Sequence, residues 1–300
     1  MNEAVVAAAP QGGRIRRSWE ALKSAWLVLR LDKELSLFPI WSGLTSAVVA
    51  IAFFLGGWLL FGWGGHSSGW DYLYLLVFYV LSYFLLVFFQ AGLMAASIQR
   101  FQGGDPTFRS GFAQAWRRKG AIFGYAVIAA TVGVLLRAIA DRLGWLGVLS
   151  ISFIGIAWSI VTVFVAPVLV MNEIGPWEAV KRSGEIFKQT WGENVIGAFG
   201  IGLITFLLFI VSLLPLAVGI TLGVHHPSPG VTEISGLPFS MGLLLSIPLF
   251  ILVAVITSAL SGIFRAALYY YATTGQAPEQ FNQQLLQETF TAKKARKLFG

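Results

Sequence analysis

Residues 72–99 carry no charged side chain, and Leu, Val, Phe, Tyr and Ala make up most of the run. At ~1.5 Å per residue, a helix of this length exceeds the ~30 Å hydrocarbon core of a bilayer. A chain folding in water would have no place to bury such a segment. Five further stretches reach the roughly 20 apolar residues needed for a crossing. Spans are expected at about 38–63, 72–99, 120–140, 145–170, 194–223 and 240–271. Composition agrees: 56% hydrophobic against 12% charged, 24 Phe, 11 Trp and a mean hydropathy of +0.74, where soluble chains carry about 25% charged residues. A soluble enzyme, a DNA-binding domain and a disordered chain are excluded. The expected fold class is all-α, a polytopic helical membrane bundle whose six transmembrane helices form three hairpins.

An amphipathic helix is expected before each hairpin. At about 15–33, Trp19, Leu22, Trp26 and Leu29 step by three and four, opposite Arg16, Arg17, Glu20 and Lys23. At about 106–119, Phe108, Phe112, Ala115 and Trp116 oppose Arg109, Arg117, Arg118 and Lys119. At about 176–191, Trp177, Val180, Gly184, Phe187 and Trp191 oppose Glu178, Lys181, Arg182, Glu185 and Lys188. Such helices lie in the membrane interface or pack on the underside of a bundle, and both readings put all three at one membrane face. Trp19, Trp26, Trp116, Trp177 and Trp191, with Arg117, Arg118, Lys181 and Arg182, are the expected interfacial anchors. The even spans also echo one another. Gly92-Leu-Met-Ala-Ala followed by Gly103-Gly-Asp-Pro resembles Gly262-Ile-Phe-Arg-Ala-Ala followed by Gly275-Gln-Ala-Pro. Residues 1–276 read as one membrane domain and 277–300 as a basic cytoplasmic tail.

The net charge of +7 reads as topology rather than as a nucleic-acid signal. Of the 21 Lys and Arg, 19 fall on the side of the amphipathic helices, leaving Arg137 and Arg142 opposite. Both termini are therefore expected in the cytoplasm, with the chain multi-pass in an inner or plasma membrane. Ala4 to Pro10 is too short an apolar stretch for a cleavable signal, and its basic cluster follows rather than precedes it. The absence of Cys excludes disulfide and thiolate chemistry.

Three motifs carry a resemblance that covers nearly the whole chain. They are Arg17-Ser-Trp-Glu-Ala-Leu-Lys-Ser-Ala-Trp, Gly175-Pro-Trp-Glu-Ala-Val-Lys-Arg-Ser and Phe264-Arg-Ala-Ala-Leu-Tyr-Tyr-Tyr-Ala-Thr-Thr-Gly-Gln-Ala-Pro. The sequence resembles a family of uncharacterised prokaryotic six-span membrane proteins, a domain of unknown function. More distantly, its Ala-Val-Lys-Arg-Ser helix looks like the membrane domain that accompanies some glycerophosphodiester phosphodiesterases. The resemblance implies the fold and carries no activity.

No nucleophile elbow, phosphate loop, His-Glu-x-x-His motif or carboxylate-rich metal motif is present. No catalytic residue, metal or cofactor is expected, and the chain is not expected to be an enzyme. The three histidines, His66, His225 and His226, fall in polar loops on the outer side and read as solvated turn residues. Four polar residues stand where topology does not account for them. Arg137 and Asp141 are one turn apart at the outer end of the third span, Arg265 sits within the sixth on a Ser258-xxx-Gly262-xxx-Ala266 face, and Gln90 lies in the second. Ionisable groups at membrane depth are candidates for substrate contact as well as for structural pairing. The expected function is structural: a protein that organises the membrane or binds partners through its interfacial helices. The alternative is a transporter or channel for a small solute, ion or lipid. Expected partners are anionic lipid headgroups at the cytoplasmic face, with a second copy or another membrane protein compatible with the small-residue faces, and no nucleic acid.

Overall fold

A computed structural model describes residues 14–62, 69–191, 199–228, 231–234 and 236–281. Its elements run α1 (Arg14–Leu31), a short 3₁₀ turn (Lys33–Ser36), α2 (Leu37–Phe61), α3 (Gly69–Phe101), α4 (Phe108–Arg117), α5 (Lys119–Val161), α6 (Val165–Met171), α7 (Pro176–Trp191), α8 (Phe199–Ser212), α9 (Leu214–Gly223), β1 (Val224–Ser228), β2 (Val231–Ile234) and α10 (Gly236–Thr274). Six stretches are long and apolar enough to cross a membrane: Lys33–Leu59, Leu73–Phe101, Lys119–Arg137, Ile151–Met171, Ile204–Gly223 and Gly236–Thr274. They overlap the six hydrophobic runs, and α1, α4 and α7 overlap the amphipathic segments; the expected start of the fifth span, at about 194, lies outside the described residues. The fold is that of a multi-pass helical membrane protein.

Helical geometry runs without interruption through the 43 residues of α5, where two spans are expected. A straight helix of that length would reach about 64 Å. Its ends are instead tied together. The Arg118 guanidinium donates to the carbonyl of Leu169 at 3.0 Å, and the Tyr125 side chain lies beside that of Thr162. Both contacts join the start of this stretch to the residues just beyond its end, so the chain reverses within it and the third and fourth spans lie antiparallel. One local element is not helical. The connection from α9 to α10 is an antiparallel β1–β2 hairpin pairing Val224 with Ile234 and His225 with Glu233. Val224, Val231, Thr232 and Ile234 are β-branched and flank the sequence Pro-Ser-Pro-Gly, a composition suited to a short hairpin.

α3 is the central element and packs against α2, α4, α5, α6 and α10. Its last turns are buried on every side: Val87, Phe88, Phe89 and all of Ala91–Ile98. Small residues make this crowding feasible, because Gly92, Ala95 and Ala96 let neighbouring backbones approach. The core continues through α6 and the second half of α10, whereas the other ends of the spans leave large apolar side chains such as Phe54, Leu59, Phe153 and Leu244 exposed for lipid to cover. The bundle is thus tightest at the end that carries α1, α4 and α7. Both echoed span ends there close on a left-handed glycine, Gly103 at φ 82° and Gly275 at φ 72°. Around Gly103 the amides of Gly103 and Gly104 bond back to the carbonyls of Arg100 and Gln99, each at 3.0 Å, a paired cap that only a residue tolerant of positive φ permits.

Candidate functional site

The three amphipathic helices share a packing rule that their aromatic periodicity hides. The faces buried against the bundle are Ala21, Ala25, Val28 and Leu29 on α1, Gly111 and Ala115 on α4, and Ala179, Val180, Ser183 and Ile186 on α7. Each begins with two small residues four apart, which brings the helix axis close to its neighbour. The tryptophans lie on the other side: Trp19, Trp26, Trp116 and Trp177 are 52%, 43%, 52% and 56% exposed. The exposed tryptophans therefore flank the packing face, while Leu29, Phe108, Phe112, Val180 and Phe187 of the same stripes lie in or against the core. Lys23 lies 5.8 Å from the centre of the Trp19 ring and Lys119 4.1 Å from that of Trp116. Both place a cation on an aromatic face. Lys181, Arg182 and Arg117 are exposed, and Arg182 meets Glu185 at 3.2 Å in a pair too solvated to add much stability.

Beneath α3 a polar node joins the first two hairpins. Asp32, between α1 and α2, has a buried side chain (5% exposed), and both its oxygens accept from the Nε and Nη2 of Arg100 at the end of α3. Arg100 also reaches Asp105 at 3.0 Å. Glu34 accepts from the Phe108 amide at 2.6 Å, meeting a free N–H at the start of α4. Thr107 and Ser110 close a reciprocal capping box at the same end, and Ser110 donates to Gln99 at 2.9 Å. Arg100 and Arg118, which charge counting treats as topological signals, are thus structural. The guanidinium of Arg118 donates to Leu169 and, at 2.5 Å, to Ile174, carbonyls at the end of α6 that lack helical partners. Nearby, the Asn172 amide donates to Val168 at 3.0 Å and to the Tyr269 hydroxyl at 3.1 Å, linking the fourth span to the sixth.

Two spans are broken, and a serine from the following helix closes each break. Between α5 and α6 the Ser183 hydroxyl of α7 donates to Val161 at 2.6 Å and accepts from the Phe164 amide at 3.1 Å. Ser183 is fully buried. Between α8 and α9, where Pro215 interrupts the ladder, Ser246 of α10 accepts from the Leu216 amide at 2.8 Å. Backbone groups freed inside a membrane bundle require such partners. Replacing Ser183 with Ala strands two backbone groups in a dry core. The expected cost is about 2 kcal/mol, read as a lower thermal-unfolding midpoint in detergent, with Ser183→Thr retaining more of the stability.

The remaining candidates are placed as follows. Gln90 is half-buried on α3 between Phe89 and Ala91. Arg137 is exposed, while the side chains of Asp141, Arg142, Trp191, His225 and His226, and the whole of His66, lie outside the described residues. Arg265 is exposed on a turn of α10 whose neighbours Gly262, Ile263, Phe264, Ala266 and Ala267 are all buried. The small-residue face packs instead on α3, where a Cβ added at Gly262 would collide with Leu93. Among the described residues no carboxylate pairs with Arg265. Of the tail, Phe281 is buried between Phe101 and Phe264, at ring distances of 6.0 and 6.4 Å, and residues 282–300 lie outside the description. The sequence reading missed Asp32, Glu34 and Ser183. Their only signal is that a carboxylate or hydroxyl stands at a helix junction inside an otherwise apolar contact.

No curated protein and no solved structure matches the chain, and nothing in these comparisons supports the distant likeness to the membrane domain of glycerophosphodiester phosphodiesterases. A family model covers residues 70–279, from the start of α3 to just past α10. The chain belongs to that family, the family of unknown function DUF6159.

Proposed function

We propose that this protein is a non-catalytic organiser of a prokaryotic inner membrane, with both termini in the cytoplasm, which holds anionic lipid and a membrane partner through α1, α4 and α7. One observation carries the reading. In all three helices the small residues face the bundle, while tryptophans and basic side chains face outward. A helix kept only for internal support would not need four exposed tryptophans. A helix lying in the interface uses such rings at headgroup depth, with cations toward anionic phosphate.

A transporter or channel is the second reading, favoured by the two discontinuous spans. Ser183 and Ser246 occupy the freed backbone groups at both breaks, which favours the structural role.

Orientation can be tested without background because the chain has no Cys. Ala113→Cys on α4 and Glu185→Cys on α7, both at exposed positions, should react with a membrane-impermeant maleimide only after the inner membrane is opened. Ser67→Cys should react in intact cells. The reverse pattern would overturn the assignment. Purified protein in liposomes should pass neither ions nor small solutes, and protein-dependent flux would replace the organising role with transport.

A further inference from the structure

We propose that the aromatic groove between α2, α3 and α4 binds one acyl chain of an anionic phospholipid, whose phosphate is held by Arg117 and Lys119. The groove has a volume of about 380 Å³ and its walls are apolar. Trp41 and Thr45 come from α2, Phe84 and Phe88 from α3, Phe112 and Trp116 from α4. These walls are fixed by one another. Phe112 stacks on Trp116 at 6.0 Å, and Phe88 meets both edge-on at 5.2 and 6.2 Å. The Thr45 hydroxyl is turned to the Trp41 carbonyl at 2.7 Å, which leaves its methyl side to the groove. Such a slot suits a flexible hydrocarbon chain and offers nothing to a polar ligand.

The charge at one end selects the headgroup. Lys119, at the start of α5, holds its ammonium 4.1 Å from the centre of Trp116, at the groove wall, and Arg117 and Arg109 are exposed on α4. α4 contains no acidic residue. Asp32 and Asp105 are engaged by Arg100 and Glu34 by the Phe108 amide; Glu173 and Glu178, on the far side of Arg118, are exposed. Arg118 is held by the carbonyls of Leu169 and Ile174. The rim therefore presents exposed cations on and beside a helix without carboxylates, next to an apolar slot between α2, α3 and α4. A phospholipid with a net negative headgroup satisfies both parts, and a zwitterionic one leaves the cations uncompensated. This inference rests on the reading of α4 as an interfacial helix.

Full-length protein in mild detergent would be titrated with phosphatidylglycerol or phosphatidylcholine, with retained lipid counted by native mass spectrometry and unfolding midpoints recorded. The wild type should retain one phosphatidylglycerol in preference to phosphatidylcholine and gain stability from it. The double variant Arg117→Gln/Lys119→Gln changes only exposed side chains and should weaken phosphatidylglycerol retention about 30-fold. Thr45→Trp, which fills the slot and leaves the charges, should abolish retention of both lipids. Equal retention of the two lipids by the wild type overturns the headgroup assignment. Undiminished retention by Thr45→Trp overturns the groove. If that variant does not fold, an unchanged lipid preference in the charge variant overturns the proposal instead. Should Ala113→Cys label from the cytoplasmic side while no preference for phosphatidylglycerol appears, the groove fails and the interfacial reading stands.

Discussion

Arg100→Ala should lower the stability of the protein by about 3–5 kcal/mol, the range seen when one partner of a buried ion pair is removed. Asp32 sets the size of the loss. Its side chain is 5% exposed and both its oxygens are engaged by Arg100, so the variant strands a carboxylate beneath the bundle. Arg100 itself keeps 23% exposure, which places the expectation toward the lower end of that range. Arg100→Lys should rescue little, because an ammonium cannot meet both oxygens of Asp32 and also reach Asp105 as the planar guanidinium does. Removing both charges in Asp32→Leu/Arg100→Leu should cost much less than Arg100→Ala alone, since no unpaired charge remains. Thermal unfolding of the three variants beside the wild type in one detergent reads this directly. A loss below about 1 kcal/mol in Arg100→Ala would show that water screens the pair as it does at a surface.

The spans and the three amphipathic helices were legible because each rests on a run of residues. Twenty apolar positions, or four turns of alternating faces, outweigh any single contact. The polar node was not legible, because Asp32 and Arg100 are 68 positions apart and in sequence look like any charges at a loop. Positive-inside counting even worked against it: Arg100 and Arg118 entered as orientation signals while the fold uses them as clamps. The packing faces were hidden for another reason. Trp19 and Trp177 dominate the hydrophobic periodicity, yet a bulky ring holds helix axes apart and a methyl group does not. The bundle therefore takes Ala21 and Ala25, and Ala179 and Ser183. The signal was present in the shared Trp-Glu-Ala-x-Lys segments at 19–23 and 177–181, in which the alanine, not the tryptophan, marks the buried face. The closure of the third and fourth spans was foreseen as a hairpin, but only Arg118–Leu169 and Tyr125–Thr162 locate the reversal inside a helical run that carries no proline or paired glycine.

The same preference for small residues makes Gly111 a position where an added side chain should be strongly disruptive. A Cβ there would lie 2.5 Å from the carbonyl oxygen of Gly92, 2.7 Å from Phe38 Cζ and 3.0 Å from Ala96 Cβ. The first of these is backbone in the most buried part of α3, so the strain can be relieved only by lifting α4 away. Gly111→Val should therefore lower stability by about 3 kcal/mol, the upper end of the usual overpacking cost. Gly111→Ala should cost less, because a gain of about 1 kcal/mol in helix propensity offsets part of the clash. Gly43→Ala and Gly133→Ala provide the comparison, since an added Cβ at either meets nothing within 4 Å, and both should be neutral or stabilising. The opposite signs separate backbone contact from a general sensitivity of membrane helices to substitution. Lifting α4 would also carry Trp116 away from Phe88, so Gly111→Val should lose selective retention of phosphatidylglycerol along with stability. Stability equal to that of Gly43→Ala would show that α4 does not touch α3 through Gly111, and that the groove lacks the rigid wall on which lipid selection depends.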